Sequence, residues 1–368
     1  MSDTLTAIDL FCGAGGLSLG LLRAGFEVRA AVDNDEPSIE SYRANIGDHA
    51  IKASVTELTP SQLLIAAGLR SGECTLLAGG PPCQGFSVKR RGDRNDPRNQ
   101  LLLDFFRFVE EIQPRAFLIE NVKGLLSKHG RPHLDELLRR ALEDGYVCQV
   151  GQLDAADFGI PQFRERAFIV GFRREEGVRF RFPQASVLPG DRATVRQAIG
   201  DLPTPPADGS PHPDFPNHYR EARLSVDNIA RIRAVPEGGG RRDLPEHLQL
   251  PCHRRNPKLR HVDVYGRLTW DEPSVTLTAR FDSFTRGRFG HPTDDRSLTL
   301  REGARLQTFP DCFVFHGNRE EGARQIGNAV PPDLACVLAL AIRNALENRG
   351  SDPGEDVAPK PVFQGTLF

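Results

Sequence analysis

A chain of 368 residues with 39% apolar and 26% charged residues has the make-up of an ordinary globular protein, long enough for one large domain and a smaller one. The net charge of −2 points to no partner, and no apolar run approaches the roughly 20 residues that span a bilayer. Seven cysteines, an odd number without C-x-x-C pairing, argue against a disulfide scaffold or a four-ligand zinc site and for a reducing compartment.

Residues 5–11 (LTAIDLF) predict a buried strand, and CGAGG (12–16) predicts a glycine turn after it. LSLGLLRAGF (17–26) has helical leucine spacing ended by Gly25, and EVRAAVD (27–33) is a second apolar run closing on Asp33. Strand, turn, helix, strand, acid is the opening unit of a nucleotide-binding α/β fold. The turn lets backbone approach a ligand, and the acid is placed for ribose hydroxyls. Gly13 and Gly15 fit the first two places of G-x-G-x-x-G, but Ser18 takes the third. The Gly15-Gly16 pair suits an adenosine ligand without phosphate, such as S-adenosylmethionine, and the glycines alone leave both ligands open.

The alternation continues with helices over 60–69, 100–112 and 133–144 and strands over 75–78, 116–119, 146–153 and 166–172. Such strand–helix units predict a mostly parallel sheet with helices on both faces, one Rossmann-like α/β domain over 1–182. Eight prolines between 183 and 216 mark a linker, and an irregular smaller domain follows to about 297. Between 216 and 292 there are 14 basic against 9 acidic residues, and KRRGDRNDPR (89–98) has five against two, so both stretches are candidates for phosphate contact. Helical order returns at LTLREGARLQTFP (298–310), and the apolar run 325–346 predicts one long helix in a C-terminal segment (298–349) that returns to the first domain. A polar tail (350–368) closes the chain.

Three features converge on one sheet edge. GGPPCQGFS (79–87) follows a strand and holds Cys83 in a turn stiffened by Pro81 and Pro82. Glu120 is expected just beyond another strand, and Asp33 with the 12–16 turn shares that edge. A lone cysteine is most often a small buried hydrophobe. A thiol, a carboxyl and an adenosine pocket together match what methylation of a pyrimidine carbon requires. Carbon 5 of cytosine becomes nucleophilic once a thiolate adds to carbon 6, and a carboxylic acid relieves the charge at nitrogen 3. QFRER (162–166) puts Arg164 and Arg166 on one side at strand spacing, where they favour the thiolate or hold a base carbonyl.

The chain resembles the DNA (cytosine-5) methyltransferases of the prokaryotic single-chain, restriction-modification type. Six blocks carry the resemblance in order: DLFCGAGG (9–16), GGPPCQGFS (79–87), ENV (120–122), QFRERAFIVGF (162–172), REGARLQTFPD (301–311) and GNAVPP (327–332). The resemblance implies Cys83 as nucleophile, Glu120 on the ring nitrogen and amino group, and Arg164 and Arg166 at the target base. It implies S-adenosylmethionine as cofactor, held by Phe11 on the adenine, Asp33 on the ribose, and Gly13, Gly15 and Asn328 along the methionine, with Gly16, Asn34, Pro82 and Val330 around them. Where the family has an acid for the adenine amino group, KASVTEL (52–58) offers Ser54 or, by a shifted alignment, Glu57. Ser87, Lys89, Arg90, Arg91 and Arg98 are implied as DNA contacts in a lid that closes over a flipped base. The region between the fourth and fifth blocks (183–297) would be the target-recognition domain. Duplex DNA is the implied partner of a cytoplasmic, nucleoid-associated monomer without bound metal or membrane contact, alongside a companion restriction endonuclease. A tRNA cytosine-5 methyltransferase and a catalytically silent DNA-binding protein are the alternatives.

Overall fold

In the computed structural model, residues 4–82, 100–221, 224–255 and 263–348 are described. The chain divides into two compact units. The first takes the described residues up to Phe158, Glu165–Ser186 and those from Ala329 onward; the second takes Gly159–Arg164 and those of Val187–Asn328.

The first unit is built on a seven-stranded sheet of order β3-β2-β1-β4-β5-β7-β6. Its strands are β1 (Thr6–Leu10), β2 (Glu27–Asp33), β3 (Ala50–Lys52), β4 (Leu76–Gly79), β5 (Ala116–Val122), β6 (Tyr146–Asp154) and β7 (Glu165–Arg173). β1 to β5 pair in parallel, while β7 runs antiparallel to both β5 and β6. This is the mostly parallel α/β sheet expected of a Rossmann-like fold. β1 and β4 are buried along their whole length, as runs without polar alternation require of central parallel strands. Helices α1 (Gly16–Arg23), α2 (Glu36–Asn45), α3 (Pro60–Ala67), α4 (Leu101–Ile112) and α5 (Arg131–Glu143) connect the strands. A capping box from Thr59 to Gln62 starts α3, and Leu102, Phe105, Phe106 and Val109 of α4 enter the core with Leu77, Phe117 and Ile119. The chain leaves β1 for β2 on one side, while β4 lies on the other. The carboxyl ends of β1 and β4 therefore form the switch point at which open α/β sheets bind ligands.

The second unit holds short helices α6 (Val195–Ile199), α7 (Val226–Ala234), α8 (Pro251–Arg255), α9 (Leu300–Leu306) and α10 (Arg319–Asn328), and one two-stranded ribbon of β8 (Gly266–Arg267) with β9 (Arg288–Gly290). α9 and α10 thus belong to it, and the return to the first unit begins at Ala329. The single helix expected over 325–346 is instead two. Pro331, extended at ψ 126°, is the N-cap of α11 (Pro332–Glu347), because a proline imposes extended backbone on the residue before it. By length and composition Arg319–Glu347 suffices to cross a bilayer, contrary to the sequence reading. The break and the packing of α11 make α11 a core helix of the first unit: Leu334, Ala335, Leu338 and Ile342 are buried, and the Ala335 Cβ and Pro332 carbonyl crowd Gly20 of α1.

Candidate active site

The turn after β1 departs from ordinary backbone at every second residue. Phe11, Gly13 and Gly15 have φ of 60°, 53° and 98°. An aromatic residue in the left-handed region costs on the order of 1–3 kcal/mol and marks a constrained, functional turn. Gly15 has no room for a side chain, since a Cβ there would stand 2.3 Å from Ile46 Cδ1. Gly13 faces open space, with nothing within 4 Å of the same position. One glycine lets α2 pack and the other leaves backbone bare to a ligand.

Asp33, at the end of β2, holds this turn. Its carboxylate accepts from the Gly13 amide at 2.8 Å and from the Asp35 amide at 2.9 Å. Burial pushes its pKa up, and those amides oppose the rise. The carboxylate is a multiple acceptor at the end of β2, of the kind a ribose diol asks for. Asn34 is exposed beside it and Gly16 opens α1. Ser54 lies two residues past β3, where its hydroxyl pairs with Thr56 Oγ1 at 2.6 Å, and Glu57 is exposed on the same turn. Bare backbone at Gly13, a half-buried ring at Phe11 and a carboxylate at Asp33 fit an adenosine ligand.

Beneath the turn sits a buried group that sequence reading passed over. Asp9 is fully buried; its Oδ2 accepts from Ser18 Oγ at 2.6 Å and its Oδ1 has no hydrogen-bond partner. Burial pushes its pKa up to about 7, against the opposing Ser18 hydrogen bond. Ser18 in turn accepts from Tyr42 Oη at 3.0 Å, and Tyr42 Oη meets His49 Nε2 at 2.9 Å. The serine that broke the dinucleotide pattern is thus the link between β1 and α2.

The second turn leaves β4 beside the first, since Leu10 and Gly79 are register partners. Glu120 lies within β5, not beyond it as the apolar run suggested, because pairing with β7 extends β5 to Val122. Its Oε2 stands 3.3 Å from where a Cβ on Gly80 would be, and its Oε1 accepts from Arg166 Nε at 3.0 Å. Asn121 Nδ2 donates to the Pro81 carbonyl at 3.3 Å. Asn121 of β5 therefore ties the Gly80–Pro81 turn, with the Glu120 carboxylate close against Gly80. Pro81 is buried and Pro82 exposed, and Cys83, Ser87, Lys89, Arg90, Arg91 and Arg98 lie outside the described residues.

The arginines of QFRER part company. Arg166 is the register partner of Val122 on β5, and its ion pair with Glu120 is mostly buried, with 14% and 11% of the two side chains exposed. Glu165 pairs with Lys123 at the surface. β7 begins only at Glu165, so the strand alternation does not include Arg164. Arg164 belongs to the second unit, where it donates to the carbonyls of Leu277 and Gly327. Asn328 ends α10 exposed, and Val330 is buried at the start of the return to the first unit. Asn121 was quoted in its motif without a role, and Gly80 only as part of the stiff turn. The parallel partnership of Gly79 with Ile119, which brings them together, is a tertiary fact.

Residues 5–344 match the C-5 cytosine-specific DNA methylase family. The chain belongs to that family. It is 35% identical over 347 residues to Type II methylase M.HgiDII of Herpetosiphon aurantiacus, covering 92% of this chain and 95% of that protein. It is 37% identical over 343 residues to Type II methyltransferase M1.HphI of Haemophilus parahaemolyticus, covering 92% and 87%. The crystal structure of a DNA modification methyltransferase encoded within an E. coli prophage matches with a TM-score of 0.72 and 26% identity over 94% of this chain and all of that one. The S. pombe Dnmt2 methyltransferase shares the fold at a TM-score of 0.55 and 19% identity, covering 93% of this chain and 99% of that one. The protein is therefore a DNA cytosine-5 methyltransferase.

Proposed function

We propose that this methylase transfers a methyl group from S-adenosylmethionine to carbon 5 of a cytosine flipped out of a short specific duplex sequence, through a transient bond from Cys83. The observation that carries the proposal is the junction at the switch point, where Asn121 ties the Gly80–Pro81 turn and the Glu120 carboxylate stands close against it, beside the glycine turn of β1. Phe11, Gly13, Asp33 and Asn34 would hold the adenosine, Ser54 would replace the usual acid, and Gly15, Gly16, Pro82, Asn328 and Val330 would line the rest. The cofactor supplies an electrophilic methyl group.

The Cys83 thiolate adds to carbon 6 of cytosine, and Glu120 delivers a proton to nitrogen 3, so the electrons pushed into the ring rest on carbon 5 instead of accumulating as an anion. Arg166, already on Glu120 Oε1, orients that carboxyl and meets the base carbonyl. After methylation a base removes the carbon 5 proton, the carbon 6–sulfur bond breaks to return the thiolate, and nitrogen 3 gives its proton back to Glu120. Ser87, Lys89, Arg90, Arg91 and Arg98 would contact DNA phosphates and offset the few kcal/mol spent on flipping. The second unit would read the sequence, and a companion restriction endonuclease would share it. A monomer acting where the DNA is, in the cytoplasm, suffices for this chemistry.

Cys83→Ser is the test, with radiolabelled cofactor offered to duplex DNA and to tRNA. Incorporation into DNA by the parent, and its loss in the variant with cofactor binding intact, is expected. Normal turnover by the variant would sink the covalent step, transfer to tRNA alone would change the substrate, and no transfer at all would leave a DNA-binding protein.

A further inference from the structure

The chain that follows Glu120 and Asn121 carries charge that the reaction above does not use. β5 ends at Val122, and one 3₁₀ turn over Lys123–Leu126 leads toward α5, which begins at Arg131. From Lys123 to Leu134 the sequence holds Lys123, Lys128, His129, Arg131 and His133 and no acidic residue. Lys123, Lys128, His129 and Arg131 are exposed. Lys123 pairs with Glu165, and Arg131 with Asp135 at 2.7 Å, whereas Lys128 and His129 have no hydrogen-bond or ion-pair partner among the described residues. The two pairs stand in solvent and gain little over hydration, so a phosphate can take the place of either carboxylate.

The segment is pinned, and its charge is placed badly for stability. Leu125 is buried in the core of the first unit with Leu126 packed against it, and Ser127 Oγ donates to the Gly124 carbonyl at 2.6 Å. Gly130 admits no side chain, because a Cβ would stand 2.3 Å from the Leu125 carbonyl. The first amides of α5 are already spent, that of Arg131 on the Ser127 carbonyl and those of His133 and Leu134 on the Gly130 carbonyl. A ligand would therefore meet side chains and not the helix end. Cations at the start of a helix stand against its dipole, which favours acids there, and the first turn of α5 has none. Folding gains nothing from positive charge at this place; an anion arriving from outside does.

β1, β4 and β5 run parallel, so the chain after β5 leaves the sheet at the same edge as the glycine turn and the Gly80–Pro81 turn. We infer that Lys123, Lys128 and Arg131, with His129 between them, form a docking surface for backbone phosphates of the duplex that flanks the target cytosine, so that the catalytic unit itself holds DNA beside Glu120. The inference rests on duplex DNA being the substrate. Only six of the 47 basic residues are lysines, and two of the six lie in this segment. Buried guanidiniums fork onto fixed acceptors, whereas a lysine ammonium is a strongly hydrated point charge that meets phosphate without fixed geometry. Such contacts carry no sequence information; they set how the duplex lies and add affinity that falls with salt.

The test is fluorescence-anisotropy titration of the full chain into a labelled duplex of mixed sequence over a series of potassium chloride concentrations. Lys128→Gln is expected to reduce the slope of log affinity against log salt by about 1, and Lys128→Gln with Arg131→Gln by about 2, with binding about 3- to 10-fold weaker per residue at low salt. Arg139→Gln, farther along α5, is expected to keep the parent's slope. Melting temperatures of the Lys128 and Arg131 variants are expected to match or exceed the parent's, because cations have left the positive end of the helix. If the double variant melts early, Lys128→Gln alone decides, since its side chain has no partner to lose. An unchanged slope in Lys128→Gln, or an equal reduction in Arg139→Gln, would overturn the docking surface while the parent's own binding upholds the DNA substrate. A parent that binds labelled tRNA and not the duplex would remove the substrate reading, and this inference with it.

Discussion

The two units of the methylase solve the same problem in different ways. In the first, backbone donors and acceptors pair along seven strands, and the core is apolar, with Ile8, Leu10, Leu77, Phe105, Phe117 and Ile119 in one cluster. The second has a two-stranded ribbon and a small cluster of Ile232, Val235, Leu244, Tyr265 and Phe284. Irregular backbone without a ladder must find donors elsewhere, and here arginines supply them. Arg267 donates to the carbonyls of Ile232, Val235, His291 and Asp294, and Arg301, with none of its surface exposed, to those of Pro216, Pro310 and Phe313. Buried Arg296 forks onto Glu302, which caps α9 through Thr299. The guanidinium suits this work because its five donors spread in a plane and its charge persists when buried. Arg abundance in this region therefore reports internal stitching as much as any nucleic-acid surface.

The widest gap between the units should open on substituting one buried residue in each. Arg301→Met leaves three carbonyls without their donor and is expected to cost on the order of 3–5 kcal/mol. Phe117→Leu only thins an apolar core, at about 1–2 kcal/mol. Urea unfolding followed by circular dichroism measures both, and equal losses would erase the distinction. A smaller effect comes from Asp9, a buried carboxyl with an unpartnered oxygen beneath the turn after β1. Burial holds Asp9 at about 7, so the folded chain binds its proton more tightly than the unfolded chain does. That stabilisation is complete below the ordinary carboxylate range and is lost as the pH rises through about 7. Asp9→Asn should therefore gain on the parent steadily from about pH 4 to pH 7, read from urea midpoints across that range. A constant difference would mean that Asp9 is already ionised in the fold. The smallest effect belongs to the surface of α5, where Glu136 pairs with Arg139 and Arg140 in solvent. Glu136→Gln should leave the melting temperature within the scatter of replicate scans, because exposed pairs gain little over hydration.

How far the chain could be read without coordinates follows the same division. β1, its turn, α1 and β2 were legible because each is a local pattern: an apolar run, glycines, helical leucine spacing, an acid at the end. β5 was read too short, since its last three residues are strand only by virtue of pairing with β7. The run over 325–346 was read as one helix because apolar content there is continuous, although the Pro331-Pro332 pair that interrupts it was in plain view. Arg164 was grouped with Arg166 by strand spacing, but β7 begins between them. Within the second unit, composition indicated irregularity and charge and could not indicate which carbonyls each arginine meets.

The amino-acid order by itself determined the family, the mostly parallel sheet and the glycine turn after β1, because short-range patterns and motif spacing encode them. Tertiary structure alone decided that Asn121 ties the Gly80–Pro81 turn, that Ser18 reaches Asp9, and that Arg164 serves the end of α10. Those partnerships join residues far apart in the chain, and a buried polar group takes whichever partner the packing of strands and helices brings within hydrogen-bond reach.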